Sequence, residues 1–254
     1  MRTLCLTLAF DGTAFHGWQR QKNSRTVQGE VEQALLRIIG QTAVVHGAGR
    51  TDAGVHALGM TASFCTFATI SCAGLAKGLN AVLASDIRVL AAREMADGFH
   101  ARKSARAKTY QYHIRVAPVQ LPTERLYSLH QPSGLDLKAM TTSLACLEGE
   151  HDFSSFEGAG SRDPEKSYCR GAVRRIFSAS LTQSTSVMGT HLIITLTGDG
   201  FLRHMVRNIV GTLLLVGRNK MGYGDFTDVL AAKDRSRAGP TAPAHGLFLQ
   251  EVLY

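Results

Sequence analysis

Apolar and polar residues alternate from Leu4 to Phe10, with Leu4, Leu6, Leu8 and Phe10 on one side, the period of a half-buried strand. Asp11-Gly12 follows as a turn. Val27, Val31, Leu35 and Ile38 then recur at helical spacing, and Gly40 is placed to stop that helix. A strand near 43–46 enters a glycine-rich segment from His46 to Gly59, and alternation resumes over 60–67. Leu75, Leu79 and Val82 predict a second helix, and a strand over 86–93 closes this half.

The order then starts over. Tyr110, Tyr112, Ile114 and Val116 alternate on a strand, and Leu137, Met140, Leu144 and Leu147 mark a helix. Strands are expected near 172–181 and 190–197. The run from Phe201 to Val216 is helical by pattern, with Gly217 as its stop, and Leu247 to Tyr254 forms a last short strand. Segment 118–134 carries three of the six prolines and reads as a long loop. The pattern predicts a mixed α/β (α+β) fold of two similar halves, residues 1–103 and 104–254. A basic connector of His100, Arg102, Lys103, Arg106 and Lys108 joins them.

Composition narrows the class. The 254 residues are 44% hydrophobic, enough for a sizeable core, and 19% charged, which does not suggest disorder. Lys and Arg number 28 against 20 Asp and Glu, a net +8 that favours a polyanionic partner. The N-terminus turns polar at Asp11 without an apolar leader or a small-residue cleavage site. No stretch reaches the roughly 18 apolar residues of a membrane span. Cys5, Cys65, Cys72, Cys146 and Cys169 are odd in number and lack Cys-x-x-Cys spacing, so reduced thiols and a cytoplasmic setting are expected, with no membrane contact.

Candidate chemistry concentrates in Gly49-Arg50-Thr51-Asp52-Ala53-Gly54-Val55-His56-Ala57. Glycines on both sides permit positive φ and close approach, so Asp52 can be held rigidly yet open to a ligand, or can brace its own backbone as an Asx-turn. Gly47-x-Gly49 lacks the third glycine of a dinucleotide fingerprint, and no His-Glu-x-x-His or P-loop is present. No metal or other cofactor is therefore expected. Arg207 falls in the second turn of the late predicted helix, on one face with Arg203, either serving a site or pairing in solvent. Tyr110 opens its predicted strand, at the sheet margin or in the core. Trp18 either stacks on a ligand or is buried, and His56 and His204 read as hydrogen-bonded structural histidines.

Several further blocks stand in a recognisable order. They are Phe10-Asp11-Gly12 with Phe15-His16-Gly17-Trp18-Gln19-Arg20-Gln21, Thr26-Val27-Gln28, and Phe99-His100-Ala101-Arg102. Ala107-Lys108-Thr109-Tyr110-Gln111-Tyr112, His151-Asp152-Phe153-Ser154-Ser155-Phe156 and His204-Met205-Val206-Arg207-Asn208-Ile209-Val210-Gly211 continue it. With Gly-Arg-Thr-Asp-Ala-Gly-Val-His they resemble the tRNA pseudouridine synthase A family over residues 10–211. The resemblance implies an isomerase that converts uridine to pseudouridine in the tRNA anticodon stem-loop, at tRNA positions 38, 39 and 40. It implies the pseudouridine synthase fold, with a largely antiparallel central sheet and a cleft between the halves, and a homodimer.

In that resemblance Asp52 is the catalytic carboxylate, Arg50 enters the RNA and helps hold the base out of its stack, Tyr110 stacks on the uracil and takes a proton, and Arg207 pairs with Asp52. Arg203 and the basic connector are candidate contacts to the RNA backbone, or else ordinary solvated charge. The resemblance leaves loop 158–171, with Arg162, Asp163, Glu165, Lys166 and Arg170, without a matching pattern. The reaction moves one bond from N1 to C5 with no redox change, so nothing in it calls for a cofactor, and a carboxylate can attack C1′, add to C6 of the ring, or assist a route through elimination. The alternative is a non-catalytic RNA-binding or RNA-folding protein on the same fold. A nucleoside glycosidase would want a second acid carboxylate, which the Asp52 segment does not offer.

Overall fold

The computed structural model describes residues 1–158 and 171–254. Contacts divide the chain into two units, Met1–Lys108 with Phe248–Tyr254, and Thr109–Leu247.

In the first unit β1 (Arg2–Phe10) runs between two antiparallel neighbours, β3 (His56–Thr66) and β4 (Ile87–Met95). The two-residue β2 (His46–Gly47) pairs antiparallel with β3, and the last strand, β10 (Leu247–Leu253), joins β3 in parallel through Phe248 and Leu249. Residues 43–45, expected as strand, have no ladder. Leu4, Leu6, Leu8 and Phe10 are all buried, as their alternation predicts.

The opposite face of β1 is covered too, which the pattern did not anticipate. Thr3 and Cys5 are buried, and so are Thr61 and Ser63 on β3. The segment after β4 folds back over them. Ala101 is wholly buried, its N–H donates to Ser63 Oγ (2.9 Å), and its carbonyl accepts the Tyr254 hydroxyl (2.7 Å). Burial there pushes the Cys5 thiol up to about 11, against the charge of Arg93, so Cys5 is a packing residue.

Helix α1 (Val27–Ile39) begins where Thr26 caps Gly29 N–H and ends at Gly40, whose φ of +66° is the left-handed stop that glycine provides. It buries Val27, Val31, Ala34 and Leu35. Helix α2 (Cys72–Val82) starts at a Ser71 cap and buries Leu75 and Leu79.

In the second unit the strand order is β5 (Ala107–Val116), β9 (Gly189–Gly198), β8 (Val173–Ser186) and β7 (Gly149–Asp152). The β7–β8 and β8–β9 pairs are antiparallel. A three-residue strand, β6 (Leu129–Gln131), pairs in parallel with β5 inside the segment read as loop; it is too short to show a period. Among the described residues three α-helices pack here: α3 (Leu137–Ala145), α4 (Met205–Gly217) and α5 (Tyr223–Ala232). Helix α4 is buried on almost every side and forms the centre of the unit. It starts at Met205, four residues later than its apolar pattern suggests, because His204 stands at φ +61°. Both units are thus mixed α/β with mostly antiparallel strands.

No helix among the described residues is long and apolar enough to cross a membrane. Cys5, Cys65, Cys72 and Cys146 are free thiols, while Cys169 and most of loop 158–171 lie outside the described residues.

Candidate active site

The Asp52 loop rests on a floor built from the segment after β1. Asp52, Ala53, Gly54 and Val55 form a turn, in which Val55 N–H donates to the Asp52 carbonyl (3.2 Å) and Gly54 takes φ +77°. Two contacts tie the loop to its floor: Trp18 N–H donates to the Thr51 carbonyl (3.1 Å) and Gly54 N–H to the Phe15 carbonyl (3.3 Å). The approach is close enough to demand glycine. A Cβ on Gly12 would stand 2.1 Å from the Val55 oxygen, and one on Gly17 would stand 2.5 Å from the Thr51 oxygen. Phe15 and Trp18 are buried, and the Trp18 ring lies where a Cβ on Gly47 would be, 2.5 Å away. Trp18 is therefore a packing residue beneath the loop.

At the far end of the loop, His56 is 1% exposed, so its ring must find partners inside the protein. Its Nδ1 accepts Gly12 N–H (3.0 Å) and its ring stacks on Phe248 at 4.6 Å. This is the structural histidine the sequence suggests. With floor and ends fixed, Asp52 is half-buried while Arg50 and Ala53 are exposed. One short loop thus presents a carboxylate and a guanidinium two residues apart.

The first turn of α1 locks the floor. Val27 N–H donates to the Gly17 carbonyl (3.2 Å) and Gln28 N–H to the Trp18 carbonyl (3.0 Å). The buried Gln28 side chain accepts from Arg20 N–H (2.9 Å) and Gln19 (2.8 Å), and donates to the Val45 carbonyl (3.1 Å). Gln28 thereby joins the segment before α1 to the residue that leads into β2. Arg25 clamps the same segment through Asp86 (2.6 Å) and lies 4.2 Å over the Phe15 ring.

The second unit holds the other candidates. Strand β5 starts at Ala107, so Tyr110 is its fourth residue and not its first, and it is 7% exposed. Its ring meets Phe201 edge-on at 5.0 Å, in the stretch that leads to Arg203. Arg203 is exposed and precedes α4, so it does not share a helical face with Arg207; the left-handed His204 between them breaks the register. Arg207 lies in the first turn of α4, half-buried, with Nε–H donated to the Ala242 carbonyl (2.7 Å). A cation there opposes the positive end of the helix dipole, a placement that suits an anionic partner. Burial raises the Tyr112 phenol and the Arg207 charge opposes this. Burial lowers His245, a Ser128 backbone hydrogen bond works against it, and the Arg207 charge lowers it further.

Sequence reasoning missed Asn208, Thr212, Arg235 and Thr241, which form a polar knot against α4. The available signal was Asn208 itself, a fully buried amide in a mostly apolar helix. The block from His151 to Phe156 also proves structural: Phe153, Ser155 and Phe156 are fully buried, and Ser155 Oγ accepts Asp234 N–H (2.8 Å). Of the basic connector, Arg102, Lys103 and Arg106 are exposed. His100 is half-buried and sits 4.8 Å from the His46 ring; its own burial lowers its pKa first, and the His46 charge adds to this. Among the described residues no group of three or more His, Cys, Asp or Glu could hold a metal ion.

These features define a class first: a mixed α/β protein with a single carboxylate on a glycine-built loop and an arginine at the head of a buried helix. Comparison with known proteins is specific. A family model described as tRNA pseudouridine synthase matches residues 7–102 and 144–254. The chain is 50% identical over 254 residues to tRNA pseudouridine synthase A 1 of Desulfotalea psychrophila, covering 100% of both chains. It is 39% identical to tRNA pseudouridine synthase A of a Thermoanaerobacter species, again over 100% of both. Against the protein of the same name from Streptococcus pneumoniae it is 41% identical over 249 residues, covering 98% of this chain and 97% of that one. The chain belongs to the tRNA pseudouridine synthase family.

Proposed function

We propose that this chain isomerises uridine to pseudouridine in tRNA, in the anticodon stem-loop at tRNA positions 38, 39 and 40. The reaction breaks the N1–C1′ bond, turns the uracil, and joins C5 to C1′. The C5 proton leaves to a base and N1 gains one, so no atom or electron is exchanged overall. Asp52 is the nucleophilic carboxylate, Tyr110 stacks on the base and accepts the proton, and Arg207 holds Asp52 ionised and oriented. Arg50 holds the target base out of its stack, whose loss costs a few kcal/mol. Arg203 contacts the backbone. The same reading carries a cytoplasmic homodimer that needs no cofactor.

The observation that supports this most is the Asp52 loop itself. Two glycines and a buried tryptophan fix its backbone while Asp52 itself is only half-buried. A protein that only bound RNA would gain nothing from so rigid a carboxylate, which repels phosphate. Family membership and the full-length relatives support the substrate class. The test is pseudouridine mapping of unmodified tRNA incubated with the pure, chelator-treated protein. Pseudouridine at positions 38–40 is expected; tight tRNA binding without any product would favour the RNA-binding alternative.

A further inference from the structure

We propose that Thr241 is a positioning residue for Arg207, acting through the strap of residues 240–246. The proposal rests on the catalytic reading of Arg207 given above. Asn208 follows Arg207 in α4 and is fully buried, with its amide satisfied on both sides. Its Oδ1 accepts the Thr241 hydroxyl (2.6 Å) and Arg235 (3.2 Å), and its Nδ2 donates to the Phe156 carbonyl (2.8 Å). One turn on, Thr212 Oγ1 donates to the Asn208 carbonyl (2.8 Å) and accepts Gly239 N–H (2.9 Å). Gly211 lets the strap lie against the helix: a Cβ there would stand 1.7 Å from the Pro240 oxygen.

The residue after Thr241 makes a two-way exchange with Arg207. The Ala242 carbonyl accepts the Arg207 Nε–H at 2.7 Å, and Ala242 N–H donates to the Arg207 carbonyl at 3.1 Å. The Pro243 carbonyl then accepts the Tyr112 hydroxyl (2.8 Å), and a Cβ on Gly246 would meet the Tyr112 ring at 2.8 Å. Tyr112 lies two residues from Tyr110 on the same face of β5. One strap therefore touches the helix that carries Arg207 and the strand that carries Tyr110. Its carbonyl at 242 sets the plane of the guanidinium, because a planar fork bonded through Nε can no longer turn about its last torsion. Thr241 anchors that carbonyl one residue away.

The test uses the full-length protein. The Arg207 Nε–H signal is assigned by NMR as the arginine resonance lost in Arg207→Met. Thr241→Val removes the hydroxyl at nearly constant volume. Its Nε–H should exchange with solvent at least about tenfold faster, and its single-turnover rate at saturating tRNA should fall at least about tenfold, with tRNA affinity and melting temperature held. Thr241→Ser, which keeps the hydroxyl, should return both to within about twofold of the parent. Unchanged exchange in Thr241→Val overturns the proposal, and so does faster exchange with an unchanged rate. A rate that falls only in step with melting temperature or affinity marks a general packing defect and also overturns it. If Arg207→Met itself reacts at the parental rate, the catalytic reading of Arg207 fails, and the exchange data still report whether the strap orients the side chain.

Discussion

A methyl group at position 17 would press to within 2.5 Å of the Thr51 oxygen, on a backbone at φ +86° that only glycine adopts without strain. Relief requires the Asp52 loop to lift or the 15–18 segment to sink. Either movement shifts the carboxylate while leaving most of the hydrophobic core intact. Gly17→Ala is therefore expected to lower the single-turnover rate at saturating tRNA, on the order of a hundredfold, since small misplacements of a reacting group cost rate steeply. Circular dichroism should stay close to that of the parent. The check is single-turnover kinetics with tRNA affinity measured separately; a parental rate would mean that the floor does not position Asp52. At this scale the motif around Asp52 was legible because its glycines and aspartate are adjacent in sequence. The floor was not: Gly12, Gly17 and Trp18 meet the loop across more than thirty residues, and no local pattern encodes such a meeting.

Elements whose two ends carry local signals were read closely. Thr26 and Gly40 bound α1 on either side of an apolar stripe, and the structure starts and stops the helix there. Helix α4 was overextended because Phe201 and Leu202 continue its apolar run, and the left-handed turn at His204 has no sequence mark. By that apolar run Arg203 belongs to the helix, whereas it stands in the turn before it. Helix α5 has no clear sequence signal, because Gly222 and Gly224 dilute a start whose buried stripe is only Phe226, Val229 and Leu230. The final strand was legible, but its parallel partner β3 was not, since pairing joins residues far apart in the chain. Gln28 carries a prediction at this scale. Gln28→Leu leaves the Val45 carbonyl and Arg20 N–H without their partners, so the first unit should lose about 1–3 kcal/mol for each group that stays buried and unsatisfied. Urea unfolding followed by hydrogen exchange within α1 and the 43–47 segment measures it; unchanged protection there would show that Gln28 bears no such load.

For the molecule as a whole, the net +8 favours a phosphate-rich substrate, and much of the affinity for one should come from lysine and arginine contacts. A single neutral-for-negative exchange at position 52 changes that charge only from +8 to +9, so it should hardly disturb binding. The central claim is that Asp52 does the chemistry, and Asp52→Asn separates chemistry from binding at nearly constant shape. The measurement is pseudouridine formed per mole of unmodified tRNA by the parent and by Asp52→Asn, at tRNA concentrations that saturate both. The account predicts full conversion by the parent, and no product from Asp52→Asn despite tRNA affinity within about threefold of the parent's. Substantial turnover by Asp52→Asn would contradict it and remove this carboxylate from the mechanism.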